Sequence, residues 1–321
     1  MKLTYLDTSN FILISQEKQN NPLRFNEFLT KWRENENILA LSQTHLIELL
    51  QAKFQNTRIA HFNLLKDFLP FNYESENFFE REVMLTLSNK GFLIFQEQDT
   101  ETSIKIFSKE IKSQNELSLI YDSTNIISRV GFYKGFSKAN KLSWKAKSGD
   151  TFHKTPKPRF SGIENNWLGK IGKILFAKFI GIDLKDKKNQ NKSIELLLED
   201  FLFKTQVKST LKSKFGTLEE SNIQTILSNI QIQNCKGLWL RKEVEKNLKR
   251  ANDFDHKNEN DLNNIQYLPY VDVFLTDKRI VESTQQVLRR KDVLESLKSV
   301  SIPRKASNTI ESLEEILFQQ N

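Results

Sequence analysis

Short apolar runs alternate with amphipathic helical patterns in the first third of the chain. Residues 2–6 and 38–41 are predicted β-strands, because each run is too short for a helix and rich in apolar residues. A helix is predicted between them, since one helical face is formed by Phe25, Phe28, Leu29 and Trp32. Further helices are predicted at residues 43–54, 57–69 and 77–87, with a third strand at 92–95. This alternation is typical of an α/β domain.

The middle third has a different pattern, with long amphipathic stretches and no clear strand. Helices are predicted at residues 101–128, 167–181, 193–212 and 219–231. A basic segment at residues 129–160 interleaves lysine and arginine with aromatic residues and contains a single acid. We therefore interpret residues 96–233 as a mostly helical insertion in the α/β domain.

The last third returns to alternating elements. A helix is predicted at 238–250, and an acidic stretch then leads into a short helix that ends before Pro269. The later elements are a buried strand at 271–276, a helix at 279–296, a strand at 297–302 and a helix at 309–318. This order predicts a mainly parallel central sheet with right-handed crossovers. The sheet domain would be discontinuous and comprise residues 1–95 and 234–321.

Four acidic residues follow or precede the predicted strands. Asp7 comes after the first strand, and Glu48 lies on the helix after the second, with Thr44 one turn earlier. Asp277 comes after the strand at 271–276, and Asp261 begins the helix before it. Ligands of α/β proteins collect at the carboxyl ends of parallel strands. Four carboxylates there would repel one another without a cation, and hard oxygen ligands suit Mg²⁺ or Mn²⁺, which can activate water beside a phosphodiester.

Each acid also has a simpler interpretation. Asp7 and Asp261 would serve as helix caps, and Glu48 would be an ordinary solvated residue of a helix. Asp272 competes with Asp277 for the fourth position. Five residues of strand span roughly 16 Å, so the two cannot border one ion along a straight strand. We favour a capping or hydrogen-bonding role for Asp272 at the entry of the strand.

Composition favours an anionic partner in a reducing compartment. The formal net charge is +8 and the sequence pI is about 9.3, which favours nucleic acid or an acidic protein. The single cysteine, Cys235, excludes a disulfide framework and fits the cytoplasm, and we expect no secretory leader and no membrane span. With one cysteine and 4 histidines, a structural zinc site is not expected.

Basic and aromatic side chains suggest where RNA would bind. Bases stack on aromatic rings, so the basic segment is a candidate contact surface, although an ordinary solvated face has the same composition. The candidate contacts in this segment are Lys134, Lys138, Lys141, Trp144 and Lys145. Arg241 and Arg250 are nearer in sequence to the acids and are candidate phosphate ligands.

The order of these motifs resembles that of the PIN-domain ribonucleases. The similarity rests on Leu6-Asp7-Thr8-Ser9, on Thr44 and Glu48, and on Asp261 followed by Thr276-Asp277. It covers roughly residues 1–55 and 235–318. One departure is that the fourth acid of the family often lies two residues after the threonine, whereas Asp277 follows Thr276 directly. The resemblance implies an α/β/α sandwich with metal-dependent nuclease activity, as in toxin–antitoxin systems and RNA processing.

The predicted function is therefore a Mg²⁺- or Mn²⁺-dependent nuclease, more specifically an endoribonuclease of toxin or defence type. Asp7, Glu48, Asp261 and Asp277 would hold the metal, and Thr8, Ser9 or Thr276 would orient water or phosphate. A neutralising antitoxin or other partner protein would be expected, and a homo-oligomer is compatible with the sequence. Two alternatives remain: a catalytically inactive PIN-like module that binds RNA or protein, and a nuclease directed at DNA.

Overall fold

A computed structural model shows an α/β protein with a mixed, mostly parallel sheet of six strands. It describes residues 1–50, 55–74, 77–92, 105–129, 178, 194–251, 259–294, 297 and 300–318. The strands are β1 (Lys2–Tyr5), β2 (Asn37–Leu41), β3 (Phe71–Tyr73), β4 (Lys109–Ile111), β5 (Val273–Thr276) and β6 (Arg304–Lys305). The helices are α1 (Thr8–Asn20), α2 (Pro22–Glu34), α3 (Gln43–Leu50), α4 (Gln55–Asp67), α5 (Phe78–Asn89), α6 (Gln114–Arg129), α7 (Ile194–Lys214), α8 (Glu220–Asn229), α9 (Lys236–Arg250), α10 (Glu259–Asn264), α11 (Lys278–Leu288), α12 (Lys291–Leu294) and α13 (Ile310–Phe318).

Strand β1 lies inside the sheet and joins the two ends of the chain. The strand order is β4-β3-β2-β1-β5-β6, and β1 pairs in parallel with both β2 and β5. The β2–β3 and β5–β6 pairs are also parallel, and the β3–β4 pair is antiparallel. The prediction of a mainly parallel sheet is confirmed, and its parallel strands all end at one edge.

Alternation along the strands separates two cores. Leu39, Leu41 and Leu275 belong to one apolar cluster, which helices α1, α2, α4 and α13 help to form. Ala40 and Phe274 belong to the other cluster, which contains residues of α9, α10 and α11. Successive strand residues point to opposite faces of a sheet, so helices cover both faces. In the described part of the chain, no helix has both the length and the apolar character needed to cross a membrane.

The middle third contributes a strand to the sheet, whereas no clear strand was predicted there. Residues 109–111 form strand β4, which pairs with β3, and helix α6 begins only at Gln114 rather than within a continuous helix from residue 101. Ile111 and Leu117 lie in the first core cluster. Helices α7 and α8 lie near the predicted 193–212 and 219–231, and they pack against α5 in a third cluster. Strand β4 therefore belongs to the sheet although it lies within the predicted insertion at 96–233, whose bounds stay a prediction.

Two predicted elements near the end of the chain are wrong. Residues 297–302 were expected to be a strand, but the strand here is β6 at Arg304–Lys305. Leu297 and Val300 pack into the second core cluster in a turn, in which the Val300 amide donates to the Leu297 carbonyl at 3.0 Å. The helix predicted at 279–296 is divided into α11 and α12, and Arg290 between them reaches the buried Glu243 at 2.7 Å.

The edge strand β3 was missed because three residues give too short an apolar pattern to recognise. The third strand had been predicted at residues 92–95, of which 93–95 lie outside the described residues. The helix predicted at 167–181 likewise lies outside them, except for residue 178. Before β5, α10 ends at Asn264 and a 3-10 helix, Ile265–Tyr270, carries Pro269 within it.

A buried carboxylate holds the start of α9 against the sheet domain. Glu82 of α5 accepts hydrogen bonds from the amides of Gly237 and Leu238 and from the Tyr270 hydroxyl. Burial raises the pKa of Glu82 to about 7, although the three hydrogen-bond donors each lower it. Gly237 leaves no room at this junction, because an added Cβ would lie 2.2 Å from the Gln266 carbonyl oxygen and 2.7 Å from the Phe78 ring.

We expect Gly237→Ala to destabilise the protein by about 1–3 kcal/mol, because overpacking outweighs the higher helix propensity of alanine. Urea unfolding would measure the free energy of unfolding. Gly216→Ala is the matched control, since an added Cβ there meets only the Lys212 carbonyl oxygen at 3.9 Å. Equal stability of the two variants would contradict the close packing at Gly237.

Candidate functional site

The site lies where the parallel strands end. The β1–β2 register pairs Thr4 with Leu39, so three residues further Asp7 lies opposite Ser42. The β1–β5 register pairs Tyr5 with Phe274, which brings Asp7 opposite Thr276 and directly beside Asp277. Acids from the two ends of the chain thus meet at one edge of the sheet.

Asp7 and Asp277 occupy equivalent positions, each as the N-cap of the helix that follows its strand. Asp7 Oδ1 accepts a hydrogen bond from the Ser9 amide at 2.8 Å, and Asp277 Oδ1 accepts one from the Arg279 amide at 2.8 Å. Each of these cap bonds uses one oxygen of its carboxylate, and the Ser9 side chain is a further hydrogen-bond partner of Asp7. The capping interpretation of Asp7 is therefore confirmed, and it is compatible with a ligand role for the second oxygen.

Glu48 is connected to the same edge through Thr8. The Thr8 hydroxyl donates a hydrogen bond to Glu48 Oε2, so the residue after Asp7 orients the carboxylate of α3. The neighbours Leu46, Ile47 and Leu49 are buried, as expected for a helix enclosed on most sides, while Glu48 itself is half-buried. In this arrangement Thr8 positions a carboxylate, and its role in orienting phosphate or water stays a prediction, as does that of the exposed Ser9.

Asp261 is not a cap, because α10 already begins at Glu259. It is half-buried, and burial raises its pKa to about 7, with further increases from the charges of Asp7, Glu48 and Asp277. Burial also raises the pKa of Asp7, and Asp277 adds to this effect. The charges of the other three predicted acids therefore all reach Asp261, so the four side chains share one electrostatic environment.

Arg279 is the cation beside this group. Its Nε lies 3.6 Å from Asp277 Oδ1, and its charge lowers the pKa of Asp261 against the larger effect of burial. The Arg279 side chain is 52% exposed, so this ion pair is loose and screened by solvent. Arg279 thus offsets only part of the negative charge.

Asp272 has the role expected for the entry of the strand. Its Oδ2 accepts a hydrogen bond from the Leu3 amide at 2.7 Å, and its own amide donates to the Leu3 carbonyl at 2.8 Å. These bonds fasten β5 to β1 at the end opposite Asp277. The hydrogen-bonding interpretation of Asp272 is confirmed.

The sequence interpretation missed a further carboxylate, Glu74. It follows β3 directly, and the β2–β3 register places it opposite Ser42, in the same row as Asp7. Its side chain is buried, and burial raises its pKa to about 7. Burial raises the pKa of the Tyr5 hydroxyl, and the charges of Glu48, Glu74 and Asp7 raise it further. If β3 were recognised in the sequence, Glu74 would be predicted as a site residue, because it follows the carboxyl end of a parallel strand as Asp7 does.

A cleft of about 740 Å³ is lined by residues close in sequence to two of the acids, although none of the four acids lines it. Its wall includes Thr44, one turn before Glu48, and Asn263, two residues after Asp261. Arg241 also lines it and makes no ion pair with a residue in the described ranges, so its predicted role as a phosphate ligand has a suitable location. Arg250 is exposed at the far end of α9, roughly 14 Å further along the helix. The other predicted RNA contacts lie outside the described residues, namely Lys134, Lys138, Lys141, Trp144 and Lys145.

Comparison with known protein families, with characterised proteins and with solved structures gives no significant match for this chain. The function must therefore be inferred from the site itself.

The oxygen donors of the four acids suit Mg²⁺ or Mn²⁺, but their side chains are not positioned to coordinate one ion. Four carboxylates supply hard oxygen ligands, and the charges of the other three raise the pKa of Asp261, as expected for a group without a cation. Among the residues that the structure describes, no three His, Cys, Asp or Glu side chains are grouped so that they could hold an ion. An ion would require these side chains to turn towards it.

The raised pKa of Asp261 gives a test of the shared charge. A carboxyl with a folded-state pKa above its unfolded value destabilises the fold as pH rises from about 4 to about 7, and the loss is complete above pH 7. We therefore expect Asp261→Asn to stabilise the metal-free protein at pH 8 by about 2 kcal/mol after allowance for screening, with no gain at pH 4.

Urea unfolding in EDTA at the two pH values would measure this difference. Asp67→Asn is the matched control, because Asp67 pairs with Lys18 at 2.5 Å and its removal relieves no repulsion. An Asp261→Asn effect that is the same at both pH values would exclude the charge coupling.

Proposed function

We propose that this protein is a divalent-metal-dependent nuclease with a PIN-like fold that hydrolyses single-stranded RNA. The observation that supports this proposal most directly is the convergence of Asp7, Glu48, Asp261 and Asp277, drawn from both ends of the chain, at the carboxyl edge of a parallel sheet. Mg²⁺ or Mn²⁺ there would polarise a phosphodiester and activate water for its hydrolysis.

The protein's own residues would hold and orient the reactants. The N-cap bonds fix Asp7 and Asp277 on rigid strand ends, and the Thr8 hydroxyl fixes Glu48. The Thr276 hydroxyl is buried without a hydrogen-bond partner in the described part of the chain, so it would be available to orient a water molecule. Arg241 in the adjoining cleft and Arg279 beside Asp277 would attract the phosphates of the strand.

A second candidate function is an RNA-binding module without catalysis. It is favoured by the finding that no described group of carboxylates is arranged to hold an ion. Such a module would keep the cleft and its arginine but would gain nothing from a metal. The two functions therefore differ in their response to Mn²⁺.

We expect Asp7→Asn to reduce cleavage of a single-stranded RNA by about 1,000-fold, because loss of a ligand removes several kcal/mol of stabilisation by the ion. The assay would use purified full-length protein with Mn²⁺, and EDTA should abolish cleavage by the unmodified chain. The control is Asp67→Asn, whose partner Lys18 lies roughly 16 Å along α1 from Asp7. Cleavage that persists in EDTA would refute the metal-dependent mechanism.

Mn²⁺ itself should raise the melting temperature of the protein, because a ligand that binds only the folded state stabilises it. At a concentration 100 times its Kd the ion would add about 2.7 kcal/mol. Differential scanning calorimetry would measure the shift in the unmodified chain, in Asp7→Asn and in Asp67→Asn. A shift of equal size in the first two proteins would place the ion elsewhere.

A further inference from the structure

Glu74 has one carboxylate oxygen that the described part of the protein does not use. Oε2 accepts hydrogen bonds from the Tyr267 hydroxyl at 2.6 Å and from the Gln43 amide at 3.3 Å. Oε1 accepts none from a described residue, and it is not among the buried oxygens sealed from solvent without a partner. Glu74 is 5% exposed and lines the cleft, so a ligand in the cleft could reach this oxygen. A buried acceptor in such a position calls for a donor from a ligand.

The position of Glu74 relates it to the predicted reaction. Asp7, Ser42 and Glu74 lie in one row across β1, β2 and β3, and neighbouring strands are about 4.8 Å apart. Glu74 is therefore roughly 10 Å from Asp7, across two strand spacings. A base bound at Glu74 would belong to a nucleotide close to the phosphate at the acids.

The walls of the cleft provide the other contacts that a nucleotide needs. Phe79 and Phe203 form an apolar side with their rings 6.0 Å apart, and Leu202 beside them is 56% exposed. Bases bind to such surfaces by stacking. Arg241 lies on the same wall as Lys242, whose charge is already paired with Glu199 at 2.5 Å. The volume of about 740 Å³ is within the usual range for a ligand site.

We propose that this cleft is a base-recognition subsite that selects guanine through Glu74. The Watson–Crick edge of guanine presents the N1–H and N2–H donors side by side, and both can donate to the one unused oxygen, Glu74 Oε1. Adenine and cytosine present one amino group beside an acceptor nitrogen, and uracil presents one N–H between two carbonyl oxygens. In adenine, cytosine and uracil an acceptor atom therefore lies beside the donor, and its lone pair would be repelled by Glu74 Oε1. This inference rests on the proposed RNA substrate and adds its sequence preference.

The test measures binding separately from cleavage. Full-length protein with Asp7→Asn would be titrated with fluorescent five-nucleotide RNAs that differ only in a central G, A, C or U. Anisotropy at pH 8, above the pKa of about 7 of Glu74, would give each Kd with the carboxylate charged. We expect the G oligonucleotide to bind about tenfold more tightly than the other three. Glu74→Gln should abolish this preference, because its amide NH₂ is itself a donor.

Two further variants make the result specific. Glu80→Gln makes the same chemical change on α5 outside the cleft, where Glu80 lies 3.6 Å from Lys214, and it should keep the preference. Tyr267→Phe removes the hydroxyl that orients Glu74 and should weaken the preference several-fold even if Glu74→Gln fails to fold. Equal binding of the four RNAs, or a preference that survives both Glu74→Gln and Tyr267→Phe, would overturn the inference.

The outcome also separates this inference from the proposed activity. If the unmodified chain cleaves RNA with Mn²⁺ but binds the four oligonucleotides equally, the guanine subsite is wrong and the nuclease proposal stands. If guanine is preferred through Glu74 but no cleavage occurs, the subsite is supported and the catalytic proposal falls. If no RNA binds, both fall.

Discussion

Parallel pairing of β1 with β2 on one side and β5 on the other is the interaction on which the site depends. This pairing joins the first residues of the chain to a segment about 270 residues later, and backbone hydrogen bonds fix the register of both pairs. Asp272 reinforces it from the opposite end by accepting the Leu3 amide. Because the strands run in the same direction, the residues that follow them all emerge at one edge. A slip of one residue would move Asp7 away from Thr276 and turn every strand side chain to the other face.

The same edge concentrates buried polar and aromatic side chains, which pack against one another. Tyr5 stacks on His45 at 4.5 Å and on Tyr267 at 5.5 Å, and its hydroxyl lies 3.1 Å from the Ser42 hydroxyl. Burial lowers the pKa of His45 to about 3, so its imidazole is neutral and forms part of an aromatic stack. The strand ends that carry the acids are therefore supported by packed aromatic side chains, so binding of an ion would move the acidic side chains and not the backbone.

Negative charge at the edge has a cost that the structure only partly offsets. Asp261 and Glu74 have a pKa of about 7, mainly because both are removed from water. Arg279 compensates some of the charge around Asp261, while Tyr267 donates to Glu74. Proteins retain such unfavourable groups at functional sites more often than elsewhere, because a bound cation or ligand donor supplies the missing interaction. A cation would supply this interaction at the four acids, and a nucleotide base would supply it at Glu74.

The sequence alone determined the α/β class, the mainly parallel sheet and the position of Asp7, because strands and helix caps are local patterns of a few residues. It also determined the role of Asp272, through the fixed rise of a β-strand. Only the tertiary structure decided that β4 belongs to the sheet, that the last strand is Arg304–Lys305 and that Asp261 lies within a helix. Packing against residues distant in sequence determines these features, and Val300 in the second core cluster is an example. Glu74 became visible only through the pairing of β3 with β2, because a three-residue strand is specified by its neighbours and not by its own sequence.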